Sequence, residues 1–224
     1  MTPFMQTHFE QELEKLRKRI IEMSDLVEIQ VEKSITALLT GNKDLVKQIE
    51  ENENKIDDID VKIDKLCQRI FALVQPVASD LRLIMSSLKI DNELERIADI
   101  ALSIAKRAES IREQPEIITK FKINEIANHS KEIFSKAILS YIEKDVVKAK
   151  ELLLNKDFIK DLNQKLHSKI INEMTKKSEV IVVATNLIIV LQQIERLADH
   201  AVNIAESVVF WIDGKIIKHE NIID

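Results

Sequence analysis

Acidic side chains recur at helical spacing in this sequence, and they form three lines that could bind a metal ion. The lines are Glu53, Asp57, Asp60 and Asp64; Asp91, Glu95 and Asp99; and Glu195 and Asp199. Residues three or four apart lie on one face of a helix, where like charges repel each other. Facing helices that carry such carboxylates hold metal ions in helical bundles, since oxygen donors suit hard and borderline cations. A solvated helix face is the alternative interpretation of each line.

Three basic side chains stand next to these acids. Arg96 and Arg196 each follow a glutamate directly, and they are best explained as groups that neutralise or orient the neighbouring acids. His200 follows Asp199 and could ligate a metal ion, although a partly exposed helix histidine is the alternative. The sequence contains no Glu-x-x-His motif to complete a ferritin-like di-iron set, and we find no serine or cysteine triad.

The elements that carry these acids must be helices, because the chain lacks the residues that turns between strands require. Among 224 residues there are two glycines, Gly41 and Gly214, and three prolines. No glycine-rich phosphate loop can form, so nucleotide sites of the Walker A and GxGxxG types are excluded. With 45% hydrophobic and 32% charged residues, the chain has the composition of a globular all-α protein.

Apolar residues at spacings of three and four predict six long helices. A first helix ends at Gly41, a second runs up to Pro76, and the others span about 77–112, 121–143, 145–175 and 178–213. The third and sixth helices have matching apolar seams, in which Ile97 and Leu197 are equivalent. Cys67, the single cysteine, lies on the inner side of the second helix and is expected to be a small buried residue.

The two halves of the sequence resemble each other. A shift of 100 residues aligns 94–105 with 194–205, and seven of these twelve pairs are identical. A shift of 101 aligns 43–47 with 144–148, so the repeat includes the approach to the second helix. We therefore predict two tandem three-helix bundles, residues 1–114 and 115–224, packed as one body.

Charge and hydropathy restrict the class of partner. The formal net charge of −5 is the wrong sign for binding nucleic acid or coating anionic lipid. The longest apolar stretch, 180–191, is interrupted by Thr185 and Asn186 and is too short to span a bilayer, so we expect no transmembrane segment and a cytoplasmic location.

The motifs Glu95-Arg96-Ile97-Ala98-Asp99 and Glu195-Arg196-Leu197-Ala198-Asp199, together with the segment 75–82 that opens the third helix, closely resemble the PhoU family of phosphate-uptake regulators. The resemblance covers essentially the whole chain. It implies two three-helix bundles with internal pseudo-twofold symmetry and acidic surface sites for iron, zinc or other divalent cations, with magnesium or manganese as alternatives.

In that family, the metal-site motif of an acid followed four residues later by Asp also occurs on the second helix of each unit. Glu53 and Asp57 fit this motif, whereas Asp157 and Asp161 have its spacing but lie one residue out of step. Lys160 thus takes the place of Asp57, and Asn163 that of Asp60. Ser103 stands where the second unit has Asn203, an amide that could act as a ligand or a supporting contact.

The resemblance implies a non-enzymatic role. Family members repress phosphate-starvation genes and restrain high-affinity phosphate uptake, linking the ATPase subunit of an ATP-binding cassette phosphate transporter to a phosphate-sensing histidine kinase. We expect a homodimer that is cytoplasmic and peripheral at the inner membrane through its partners. The alternative function is a metal-dependent helical-bundle enzyme, a phosphatase or an oxidoreductase. A third interpretation makes the acidic grooves docking surfaces for basic partner segments.

Overall fold

The computed structural model describes residues 3–73, 75–112, 114, 116–154 and 157–217, and this part of the chain contains helices and no strand. The helices are α1 (Pro3–Thr40), α2 (Lys43–Leu73), α3 (Ala78–Ile111), α4 (Glu116–Lys120), α5 (Ile123–Glu143), α6 (Val146–Leu154), α7 (Asp157–Lys176) and α8 (Ile181–Asp213). One turn of 3-10 helix, Ser178–Val180, precedes α8. The predicted all-α class is confirmed.

The number of helices differs from the six predicted. The segment expected to form one helix over 145–175 is described as α6 and α7, and residues 155–156 lie outside the described residues. Asp145 caps α6, since its carboxylate accepts hydrogen bonds from the backbone N–H groups of Val147 (3.0 Å) and Lys148 (3.1 Å). The short helix α4 was not predicted because five residues are too few to show a helical period.

Two helix ends depend on glycine, as predicted. Gly41 (φ +67°) and Gly214 (φ +70°) have left-handed backbones and donate their N–H groups to the carbonyls of Ala37 (2.8 Å) and Phe210 (3.0 Å). A Cβ atom at Gly41 would also lie 2.6 Å from Cδ of Arg112. No other residue type would fit this helix end without strain.

Helices α3 and α8 form the centre of the molecule and run antiparallel. Arg82, near the start of α3, donates from Nε to the carbonyl of Trp211 near the end of α8 (3.2 Å). Ile97 and Leu197, equivalent in the two predicted seams, are both buried. Helices α1 and α2 cover α3, helices α5, α6 and α7 cover α8, and α1 also contacts α5.

The segment Ser178–Asp213 is, by length and composition alone, long and apolar enough to cross a membrane. In the fold this segment contains α8, which contacts α3, α5, α6 and α7. A helix enclosed by four others needs apolar residues on most of its faces, which accounts for this composition.

The helix contacts do not test the division of the chain between residues 114 and 115, which stays a prediction. Pro115, at that boundary, lies outside the described residues. Cys67 is buried as predicted, and burial raises the pKa of its thiol to about 12.

Candidate functional site

The acids predicted on the second and third helices come together where α2 packs on α3. We call this the first acidic cluster; it consists of Glu53, Asp57 and Asp60 from α2 and Asp91, Glu95 and Asp99 from α3. Burial raises the pKa of Glu53, and the charges of Asp99, Asp57 and Glu95 raise it further, against a hydrogen bond from Gln30. Burial and the charge of Asp99 likewise raise the pKa of Glu95. Burial is the larger cause of both shifts, and the mutual repulsion of the acids, which a bound cation would relieve, adds to it.

Asp91 is the most deeply buried acid of the cluster, with 1% of its surface exposed. Burial and the neighbouring charge of Asp60 raise the pKa of Asp91 to about 9, so its carboxyl group is protonated at neutral pH. Burial also raises the pKa of Asp60, although the neighbouring carboxyl group of Asp91 acts to lower it. No N–H or hydroxyl donor from the described residues reaches either oxygen of Asp91.

Arg96 lies at the exposed edge of the first acidic cluster. Its Nε is 3.4 Å from an oxygen of Glu95, and its guanidinium is 3.6 Å from Asp99. Since the Arg96 side chain is 61% exposed, water screens much of this attraction. The arginine thus partly neutralises neighbouring acids, the role that the sequence suggested for it.

Two buried amides support Glu53, and the sequence analysis missed both. Gln30 of α1 donates from Nε2 to the carboxylate of Glu53 and to the carbonyl of Ala98 (3.1 Å). Asn52 donates to Oε1 of Gln30 (2.8 Å) and to the carbonyl of Leu26 (3.0 Å). These bonds fix the side chain of Glu53 at the inner end of the cluster.

In the second half of the chain, Glu195 and Asp199 of α8 form the second acidic cluster. They border a cavity of about 460 Å³ between α7 and α8, whose other lining residues are Asn163, Gln164, His167, Gln192 and Arg196. Asn163 donates from Nδ2 to the carboxylate of Glu195. Burial and the charge of Glu195 raise the pKa of Asp199, against the charges of His200 and Lys160.

The substitutions expected to weaken the second acidic cluster therefore lie beside it. Lys160 is close enough to Asp199 to act on its pKa, and Asn163 contacts Glu195. Asp161, a predicted ligand, is exposed and does not line the cavity. The second acidic cluster consequently has fewer carboxylates than the first acidic cluster, and it has a lysine among its neighbours.

His200 and Asn203 contact α3 through a residue that the sequence analysis missed. Nδ1 of His200 lies 2.6 Å from Oε2 of Glu93 on α3, and Asn203 donates from Nδ2 to the same oxygen (3.1 Å). Both side chains are thus engaged across the α3–α8 contact.

The described acids are not already arranged as a metal site. Within the described ranges, no three His, Cys, Asp or Glu side chains are arranged to hold a metal ion. The donor chemistry of the first acidic cluster nevertheless fits a hard or borderline cation, because it provides carboxylate oxygens from two helices. Asp91 also presents two buried oxygens that no N–H or hydroxyl donor reaches. Coordination would require changes of side-chain rotamer within the cluster.

Comparison with known proteins identifies the family. The PhoU domain matches residues 20–108 and again residues 123–208. The chain belongs to the PhoU family. The phosphate-specific transport system accessory protein PhoU homolog of Aquifex aeolicus is 34% identical over 211 residues, which are 94% of this chain and 96% of the relative. The homolog of Pseudomonas aeruginosa is 30% identical over 220 residues, which are 98% of this chain and 91% of the relative.

Crystal structures of PhoU proteins share the fold. The structure from Pseudomonas aeruginosa superposes with a TM-score of 0.88 at 31% identity, covering 92% of this chain and 100% of that one. The regulatory protein from Streptococcus pneumoniae gives a TM-score of 0.83 at 25% identity, covering 93% of this chain and 98% of its own. The all-α fold and the family that the sequence motifs suggested are therefore both confirmed.

Proposed function

We propose that this chain is a regulatory accessory protein of a phosphate-specific transport system and that it binds metal ions. The observation that carries the proposal is the match of the PhoU domain to both halves of the chain. Relatives that align over more than nine-tenths of the chain are named accessory proteins of such systems. This role requires binding and signalling, and no chemical step is assigned to the protein.

The proposed metal ligands are drawn from the first acidic cluster. Glu53, Asp57, Glu95 and Asp99 would hold an iron, zinc, magnesium or manganese ion, with Asp60 and Asp91 beside it. A cation would stabilise the native state because it offsets both the burial and the mutual repulsion that raise the pKa of Glu53 and Glu95.

The second acidic cluster would bind a cation more weakly. Glu195 and Asp199 have Asn163 and Lys160 as neighbours, and of the acids on α7 the charge of Asp157 acts on the pKa of Asp199. A lysine near Asp199 already supplies the positive charge that a metal ion would bring, so less is gained on binding.

As an adaptor, the protein would contact the ATPase subunit of the transporter and the histidine kinase that senses phosphate. It would act in the cytoplasm as a homodimer, held at the inner membrane by these partners. We propose that it has no catalytic activity, so that metal-loaded protein should not hydrolyse phosphate esters in a phosphatase assay.

A deletion strain tests the regulatory proposal. Loss of the protein should raise expression of phosphate-starvation genes in medium rich in phosphate, and the wild-type gene should restore repression. The Asp57→Asn/Asp99→Asn variant should fail to restore it, whereas Asp58→Asn, at an exposed position of α2, should succeed. Unchanged expression in the deletion strain would contradict the regulatory role. Full repression by the double variant would separate that role from metal binding.

A further inference from the structure

Five basic side chains line a cavity of about 280 Å³ between α1 and α2. They come from Lys15 and Arg19 of α1 and from Lys62, Lys65 and Arg69 of α2, and we call them the basic groove. Leu66 also lines the cavity and is 6% exposed. The groove lies on the side of α2 that faces α1, whereas the first acidic cluster lies on the side that faces α3. The basic groove is thus a positively charged surface in a chain whose net charge is −5.

A buried glutamate fixes two of these cations. The side chain of Glu12 is only 3% exposed, and its oxygens lie 2.6 Å from Nζ of Lys15 and 2.5 Å from the guanidinium of Arg69. Burial acts to raise the pKa of Glu12, but these two partners lower it below its ordinary value, so the carboxylate is charged. Glu12 thereby holds one cation of α1 and one of α2 at a fixed separation across the groove.

The three remaining basic side chains, Arg19, Lys62 and Lys65, give the groove an excess of positive charge. Arg19 pairs with Glu22 at 2.5 Å. Lys62 and Lys65 are exposed, and no carboxylate in the described part of the chain lies within ion-pair distance of either ammonium group. Two free ammonium groups beside three oriented cations form a site that attracts a compact anion.

We propose that the basic groove binds a compact anion with two or more phosphoryl groups, such as pyrophosphate or a short linear polyphosphate. Lys62 and Arg69, with Lys65 between them, are seven residue steps apart, about 10 Å along the helix. A single phosphate would reach only part of this row, whereas a chain of phosphoryl groups can contact all of it. Lysine and arginine are both strong phosphate binders, through point charge and through bidentate hydrogen bonds respectively.

The groove is less suited to a peptide or a membrane. An acidic helix that docks in a groove needs apolar anchor contacts, and the one apolar side chain lining the groove, Leu66, is nearly inaccessible. Basic surfaces that lie on lipid pair their charges with protruding apolar side chains, whereas this site is concave. Charge density without accessible apolar area favours a small polyanion.

The second half of the chain provides a matched control. A shift of 103 residues, which aligns buried Ile63 with buried Leu166, places Lys165, Ser168 and Asn172 at the positions of Lys62, Lys65 and Arg69. Helix α5 has 21 residues where α1 has 38. The row of three basic residues is therefore a feature of the first half. Lys165 and Lys169 of α7 carry the same charge as Lys62 and Lys65 but lie outside the basic groove.

Calorimetric titration of the full chain, stripped of metal by a chelator, tests the proposal. Tripolyphosphate should bind with one molecule per chain, and the dissociation constant should rise steeply with salt. Lys62→Gln/Lys65→Gln should weaken binding roughly tenfold or more, because each lost charge-assisted hydrogen bond contributes on the order of one tenfold step. Lys165→Gln/Lys169→Gln, which removes the same charge from α7, should change it less than about twofold.

Four outcomes would overturn the proposal. The first is an equal loss of tripolyphosphate affinity in the two double variants, and the second is binding of inorganic phosphate as tight as that of tripolyphosphate. The third and fourth are binding of a polyglutamate peptide, or of vesicles containing anionic lipid, that is tighter than the binding of tripolyphosphate. Thermal melting of both variants checks that they fold, and the single variants Lys62→Gln and Lys65→Gln should each show part of the loss. Since the titration uses metal-free protein, its result is independent of the proposed metal sites.

Discussion

Replacement of Asp91 by asparagine tests whether the most buried acid of the first acidic cluster is protonated in the native protein. Asparagine has nearly the same shape as a protonated aspartate, and it cannot ionise. We therefore expect Asp91→Asn to be more stable than the wild type at neutral pH, although it removes a group from the candidate site.

The magnitude follows from the pKa of Asp91, which is about 9 in the native state and 3.8 as the ordinary value. A raised pKa means that the stability contributed by the protonated form is complete below about pH 4 and is lost as the pH rises through about 9. Each pH unit in this window costs the wild type about 1.4 kcal/mol. The free energy of unfolding of Asp91→Asn minus that of the wild type should therefore be roughly 4 kcal/mol larger at pH 7 than at pH 4.

Urea unfolding at several pH values between 4 and 9, with a chelator present, provides the measurement. The packing cost of asparagine is the same at every pH, so the slope of the stability difference against pH reports the ionisation of Asp91 together with that of Asp60, which is coupled to it. Asp58→Asn, at an exposed position on α2, is the control that removes one carboxylate outside the first acidic cluster. A stability difference for Asp91→Asn that does not change with pH would show that the buried carboxyl group is ionised in the native protein and would refute the reasoning.

Three further predictions test other parts of the structure. Saturating divalent metal should raise the melting temperature by roughly 5 to 11 °C in scanning calorimetry. The Asp57→Asn/Asp99→Asn variant should lose most of this gain, and Asp199→Asn should lose little of it. Equal losses would contradict the expectation that the first acidic cluster binds metal more tightly than the second. Gln30→Met removes the hydrogen bond to the half-buried carboxylate of Glu53 and one of the two bonds of the buried Asn52 amide. Urea unfolding should therefore show a loss of about 1–3 kcal/mol, and an unchanged midpoint would contradict that network. Gly41→Ala forces a left-handed backbone on a residue with a Cβ atom, and the same assay should show a loss of about 1–2 kcal/mol.

The helices could be predicted from the sequence because their apolar faces are buried and each face repeats every three or four residues. The description of 145–175 as two helices, α6 and α7, could not, since both contain apolar residues at helical spacing. The acidic lines on α2 and α3 were also predictable, because side chains on one helix face are set by local geometry alone.

Contacts between helices were harder to predict. Gln30 reaches Glu53 from α1, and its only trace in the sequence is a polar residue three positions after buried Val27, within an apolar line. His200 was grouped with Asp199 because the two are adjacent. One step along a helix turns the side chain by about 100°, so His200 faces α3 while Asp199 lies near α7.

The antiparallel contact of α3 with α8 has the geometry of an isologous dimer interface, in which equivalent helices of two identical subunits meet about a twofold axis. In such a dimer every substitution appears twice. Joined in one chain, the two sides can diverge: Glu93 receives hydrogen bonds from His200 and Asn203, whereas the equivalent positions on the other side are occupied by Gln193, Ile100 and Ser103. A covalent link between the repeats thus permits a polar contact on one side of the axis that identical subunits would have to repeat on the other.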